Sequence, residues 1–206
     1  MFIMLLAAKL SGTRMDINKS NMNSKIYLAA LMIGLFFMLG CTSGLVTKTA
    51  EVKQPLNQVS ELGTKKGNIP PDFIVITTEG RAVVLGDFLR NKQSVIIYFF
   101  ATWCPYCHQD LTALSKVYKD YEDKVKIIAI SLDLNEDKDL LKDYKQKYPE
   151  LQSAMFAPGT DDILTKYQVI RTTTKFAIGK DGKILYAGFG AFDEEQWKIL
   201  LDALSK

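Results

Sequence analysis

One short stretch constrains this chain more than any other: Phe100-Ala101-Thr102-Trp103-Cys104-Pro105-Tyr106-Cys107-His108. It is preceded by residues 94–101 (SVIIYFFA), a continuous apolar run rich in β-branched and aromatic side chains. Such a run suits a central strand covered on both faces. Beyond the cysteines, Leu111, Leu114, Tyr118 and Tyr121 recur at helical spacing, so the pair stands where a buried strand gives way to an amphipathic helix. That setting reads as a redox motif. Cys104 falls at the helix N-cap, and Pro105 at the first helical position, where its missing N–H costs nothing. The unpaired N–H groups and the positive end of the helix dipole stabilise a thiolate there, which makes Cys104 the attacking thiol. Cys107, one turn further in, is placed to resolve a mixed disulfide with Cys104.

The rest of the domain alternates. Residues 73–77 and 82–85 are short β-rich runs around Thr78-Glu79-Gly80-Arg81, a hairpin signal. Residues 125–132 predict a second buried strand, and Leu140, Leu141, Tyr144 and Tyr148 mark a helix entered after Asn135-Glu136-Asp137. A short helix is expected over 161–167. Strands over 174–178 and 183–188 are joined at Lys180-Asp181-Gly182. A final helix is capped at Asp193, with Trp197, Leu200, Leu201 and Leu204 in one stripe. The fold class is therefore α/β, with a mixed central sheet flanked by helices.

The length of 206 residues fits one domain with tails, and 48% apolar residues can fill its core. A net charge of +3 with scattered lysines excludes the basic stripe of a nucleic-acid binder. There are three cysteines, too few for a disulfide scaffold, so Cys41 stands apart from the pair. Residues 26–39 (IYLAALMIGLFFML) follow Lys25 as an unbroken apolar run. At about 21 Å of helix it is short for a hydrocarbon core of about 30 Å, and its length suits the hydrophobic part of a secretory signal. The run ends Met38-Leu39-Gly40-Cys41, which resembles the lipobox of bacterial lipoproteins. The resemblance implies cleavage before Cys41 and its lipidation. Translation from Met22 or Met15 gives a better-proportioned signal than Met1, whose apolar start is separated from Lys25 by a polar segment, 11–24. The expected organisation is a signal peptide over 1–40, a flexible lipid-anchored tether over 41–68 and a folded domain over 69–206.

Taken together, these motifs resemble the thioredoxin superfamily, specifically its membrane-tethered TlpA/ResA-like branch. The likeness runs from about Pro70 to Leu204. Pro71-Asp72-Phe73, Gly80 and Leu85-Gly86-Asp87-Phe88 match the N-terminal hairpin extension and short helix of that branch. Phe99-Phe100-Ala101-Thr102-Trp103-Cys104 matches the approach to its active site, and residues 176–182 match the strand and turn after its cis-proline loop. The resemblance implies a thioredoxin-like fold, a redox-active Cys104–Cys107 disulfide, and exchange with protein thiols and disulfides in the bacterial cell envelope. It implies no cofactor. The upstream redox partner is left open. Trp103 is expected beside the active site, and Tyr106 shapes the surface next to the nucleophile. His108 is the one histidine of the chain, and a side chain that changes charge near neutrality can shift thiolate stability.

Three positions depart from that pattern. Thr173 stands where the cis-proline is expected, and a cis bond before Thr costs about 2.5–4 kcal/mol, so a trans peptide is expected. Because that loop binds the partner's backbone in the family, the change touches substrate binding. Asp110 stands where the branch often carries a Glu that relays a proton; an ordinary first-turn helix acid is the competing reading. Tyr98 occupies the position of the buried Asp of thioredoxins.

Other chemistries fit less well. Cys104-Pro105-Tyr106-Cys107-His108 also satisfies the pattern for covalent haem attachment, but the preceding strand, Trp103 and the downstream hairpin favour the redox scaffold. A thiol peroxidase would need Thr or Ser at Ala101 and Pro at Ile97. Two thiolates and His108 fall short of the four ligands of structural zinc. The remaining alternative is a binding or metal-binding module that keeps the fold, with Thr173 marking lost catalysis.

Overall fold

A computed structural model describes residues 61–206. The signal expected over 1–40, Cys41 and most of the tether expected over 41–68 lie outside the described residues. Among the described residues, thirteen short elements follow the order read from the sequence, with two additions. Strands β1 (Ile74–Ile76) and β2 (Ala82–Val84) form an antiparallel hairpin, followed at once by helix α1 (Leu85–Arg90). Then come β3 (Ser94–Phe100), α2 (Pro105–Tyr118), β4 (Val125–Ser131) and α3 (Lys138–Lys145). A 3-10 turn (Pro149–Leu151) and β5 (Met155–Pro158) precede α4 (Asp161–Lys166), β6 (Thr174–Ile178), β7 (Ile184–Gly188) and α5 (Glu194–Ser205).

The sheet has the order β5-β4-β3-β6-β7, with β3, β4 and β5 parallel and β6 and β7 antiparallel to their neighbours. It is the mixed sheet expected. Every residue of β3 is buried, as its unbroken apolar run requires. Successive side chains of β3 point to opposite faces, and each face has its own core. Ile96, Tyr98 and Phe100 pack with α2, α3 and α5, around Leu111, Leu114, Leu141 and Trp197. Val95, Ile97 and Phe99 pack with the hairpin and α4, around Phe73, Val75, Ile163 and Tyr167.

The hairpin extension is fixed by specific bonds. The Thr78 N–H donates to the Phe156 carbonyl (2.8 Å), and the buried Lys145 ammonium pairs with Glu79 (2.8 Å). Residues 61–68 are hydrogen-bonded too: the Gly67 N–H reaches the Ile184 carbonyl (2.8 Å), and the Ile184 N–H reaches the Asn68 carbonyl (2.9 Å). That segment thereby covers the start of edge strand β7.

Neither β5 nor the 3-10 turn is legible in the sequence, because four residues ending in Pro carry too little periodicity to announce a strand. The helix expected through Tyr148 ends instead at Lys145, and Tyr148 begins the 3-10 turn. Just past β5, Gly159 lies so close to β4 that a Cβ there would stand 2.1 Å from the Ser131 carbonyl oxygen. Gly159→Ala must push the two parallel strands apart. A loss of about 2 kcal/mol is expected in urea unfolding, and an unchanged midpoint would show that this end of the sheet yields freely.

Candidate active site

Helix α2 begins as its sequence requires. Cys104 is the N-cap in extended conformation, Pro105 is the first helical residue, and the Cys104 sulfur accepts from the Cys107 N–H (3.2 Å). Both cysteines are free, so the structure is that of the dithiol form. The Cys104 thiol faces the loop before β6, where it donates to the Thr172 hydroxyl (3.2 Å). Cys107 is fully buried. Burial, then interaction with Cys104, pushes its thiol up to about 12. The two sulfurs are thus unequal although both are buried, and iodoacetamide at neutral pH is expected to label Cys104 before Cys107. Peptide mapping that found Cys107 modified first would reverse the assignment of roles.

The approach to Cys104 is held by a residue that sequence reasoning does not single out. Glu136 is buried, and its carboxylate accepts from the Thr102 N–H (2.7 Å), the Thr102 hydroxyl and the Ser131 hydroxyl. In the sequence it stands only as part of a helix entry, and a lone Glu before an N-cap carries no signal for this task.

Behind Cys107 lies a second group of buried polar side chains. Asp110 is fully buried and lies beyond the first turn of α2, unlike an ordinary first-turn helix acid. One carboxylate oxygen accepts from the Phe192 N–H (2.9 Å) and the Trp197 indole N–H (2.8 Å). The other meets the ammonium of Lys175 at 2.5 Å. Lys175, also fully buried, lies over the rings of Tyr98, Phe192 and Trp197 at 5.1, 4.5 and 5.3 Å from their centroids. Burial pushes the Asp110 carboxyl up and the Lys175 ammonium down, and their mutual attraction opposes both shifts. Burial thus draws the basicities of the two groups towards each other. The Tyr98 hydroxyl is buried with no hydrogen-bond partner among the described residues. Burial, and the nearby Asp110 and Cys107, push it up, so it stays protonated. Sequence reasoning misses Lys175, although a lysine at an inward position of an otherwise apolar strand is a usable signal.

The other expected residues lie around this centre. Trp103 and Tyr106 are 63% and 64% exposed on either side of the nucleophile, with the Trp103 indole N–H donating to Asp133 (2.8 Å). His108 is exposed, and its Nδ1 is 2.6 Å from the Tyr148 hydroxyl, which in turn reaches Tyr144. Thr173 sits in the loop opposite Cys104. There is no cis peptide among the described residues, in keeping with the threonine, and Thr173 instead takes a φ of +60°.

Residues 67–187 match the family model described as AhpC/TSA family. The chain belongs to that family. Within it, the AhpC/TSA-family chain is 33% identical over 142 residues to the thiol-disulfide oxidoreductase ResA of Bacillus thuringiensis subsp. konkukian, covering 68% of this chain and 78% of the relative. It is 25% identical over 136 residues to the sporulation thiol-disulfide oxidoreductase A of Bacillus subtilis, with 65% and 80% covered. Among solved structures, StoA from Bacillus subtilis superposes with a TM-score of 0.52 at 23% identity, over 64% of this chain and 97% of that one. A thioredoxin family thiol:disulfide interchange protein from Chlorobium tepidum gives 0.58 at 18%, over 66% and 94%. These likenesses carry the thioredoxin-like fold, and the ResA relatives make this AhpC/TSA-family chain a thiol–disulfide oxidoreductase of the TlpA/ResA-like kind.

Proposed function

We propose that Cys104 and Cys107 are the redox centre, and that the chain exchanges disulfides with protein partners in the bacterial cell envelope. The observation that carries this reading is the asymmetry of the pair: both thiols are buried, but Cys104 caps a helix N-terminus and meets the Thr172 hydroxyl, whereas Cys107 is fully enclosed and held protonated. In the reducing direction the Cys104 thiolate attacks one sulfur of a substrate disulfide. A Cys104–substrate disulfide forms, and the departing substrate sulfur takes up a proton. Cys107 then gives its proton to the Asp110–Lys175 pair and attacks the Cys104 sulfur. The Cys104–Cys107 disulfide forms as the second substrate sulfur leaves as a thiolate and takes up a proton from water, and two electrons have moved from the enzyme dithiol to the substrate. The oxidising direction is the reverse. Asp110 serves as the proton acceptor for Cys107, with the Tyr98 hydroxyl beside both groups.

The envelope location rests on the apolar run over 26–39 and the Cys41 motif, and lipidation of Cys41 would tie the domain to a membrane. Metabolic labelling with palmitate should mark the protein, and Cys41→Ala should remove the label.

A redox titration tests the central claim. Trp103 fluorescence and thiol alkylation, followed against a thiol–disulfide buffer, should give one reversible two-electron transition that Cys104→Ser abolishes. A midpoint near about −270 mV would make it a reductant, and one near about −120 mV an oxidant. No transition at all would leave a binding module on this fold, with Thr173 marking the lost activity.

A further inference from the structure

Lys175 does more than neutralise Asp110. Its ammonium pairs with the Asp110 carboxylate (2.5 Å) and also donates to two backbone carbonyls, those of Gly190 (2.6 Å) and Thr173 (3.2 Å). The last two belong to separate loops, one before β6 and one between β7 and α5. Those loops are also joined directly, since the Gly190 N–H donates to the Thr173 hydroxyl (3.0 Å), which itself donates to the Thr172 carbonyl (2.6 Å).

The loop needs such support. Thr173 is β-branched and adopts φ +60°, a conformation that costs about 1–3 kcal/mol and persists only where the surroundings impose it. A ring-locked proline, held at a φ of about −65°, could not take this conformation at all; threonine takes it under the contacts that surround it. Thr172, the next residue back, carries the hydroxyl that meets the Cys104 thiol. We propose that Lys175 is a positioning residue, a buried clamp that holds the Thr172–Thr173 loop in register with Cys104 and so sets how a protein disulfide is presented to the nucleophile.

The clamp rests on the reading of Cys104 as nucleophile. Its consequence is selective. A protein substrate must lay its backbone along the loop to bring its disulfide into line, whereas a small disulfide reaches the sulfur without the loop. Misplacing a positioning element by about 1 Å can cost a hundredfold in rate, so a tenfold loss is a modest expectation for one lost anchor.

The test uses the full chain in a Cys107→Ser background, where Cys104 captures a disulfide and stops. Capture of insulin and of hydroxyethyl disulfide is followed by the mass of the adduct. In each case a substrate S–S bond breaks, a Cys104–substrate S–S bond forms, and the released thiolate is protonated by water. Lys175→Met should lower the insulin rate by about tenfold relative to the hydroxyethyl disulfide rate. General loosening of the fold would lower both together. Because Lys175→Met leaves Asp110 without its cation, the double variant Asp110→Asn/Lys175→Met removes the clamp without an orphaned charge and should show the same tenfold change in ratio. An unchanged ratio in both variants would overturn the clamp. A ratio restored in the double variant would also overturn it, showing that the lysine acts only through the charge of Asp110. If the parent variant captures neither substrate, Cys104 is not the nucleophile, and the clamp falls with the reading beneath it.

Discussion

Cys104→Ser is expected to lower kcat/KM for disulfide exchange by about a thousandfold or more, because among the described residues only the fully enclosed Cys107 thiol then remains to form the covalent intermediate. Cys107 cannot substitute. It is buried, its thiol is pushed up to about 12, and it faces the interior rather than the Thr172 loop. Cys107→Ser should fail differently. The first exchange proceeds, the resolving step does not, and a stable mixed disulfide between Cys104 and the substrate accumulates. Non-reducing electrophoresis of the two variants with a protein disulfide separates these outcomes. An adduct in Cys104→Ser, or turnover in Cys107→Ser, would exchange the two roles.

The second large effect concerns stability. Asp110→Ala should destabilise the protein by about 3–5 kcal/mol, the usual result of removing one partner from a buried ion pair. It strips Lys175 of its anion, leaves the Phe192 N–H without its acceptor, and leaves the Trp197 indole N–H only the residue 110 carbonyl (3.1 Å). The loss should depend on pH with a definite sign. Burial already holds the Lys175 ammonium below its ordinary value, and the carboxylate was what opposed that shift. In the variant, the folded state therefore binds fewer protons at Lys175 than the unfolded chain does. Stability then rises with pH over the interval between the lowered folded value and the unfolded value near about 10.4. Urea unfolding of Asp110→Ala at neutral and at mildly alkaline pH should show a gap from the parent that narrows at the higher pH. A gap that stays constant would mean that Lys175 escapes to solvent once its partner is gone.

Much of this molecule is legible in the order of its amino acids. The apolar run over 94–101 announces a central strand because every side chain of β3 meets a covered face, and the Asp193 cap with its stripe from Trp197 to Leu204 announces α5. The cysteine pair is legible because its chemistry depends on local geometry alone: a strand end, a helix N-terminus and a spacing of one turn. Lys175 and Glu136 are not. Each acts on atoms far away in sequence, Lys175 on Asp110 and Glu136 on Thr102, and neither is flanked by residues that name its partner. The weight of Asp110 is equally hidden. A carboxylate in the first turns of a helix is ordinary on the surface, and only the arrival of β6 and α5 over it makes it a buried acid. Thr173 lies between these cases: the missing proline is visible in the sequence, whereas the contacts that hold the threonine in its place are not.

The spread of the site along the chain has a consequence for biogenesis. Cys104 meets its acceptor Thr172 across 68 residues, Thr102 meets Glu136 across 34, and Asp110 meets Trp197 across 87. Contacts of such sequence separation form late, because a long loop must close before any of them is rewarded. A newly made chain thus carries its cysteine pair well before it has a loop to face or a buried acid behind it. With Lys175 as the proposed clamp, selective exchange would begin only once the loops around Thr173 and Gly190 are in place, so activity would report folding of sequence-distant parts of the domain.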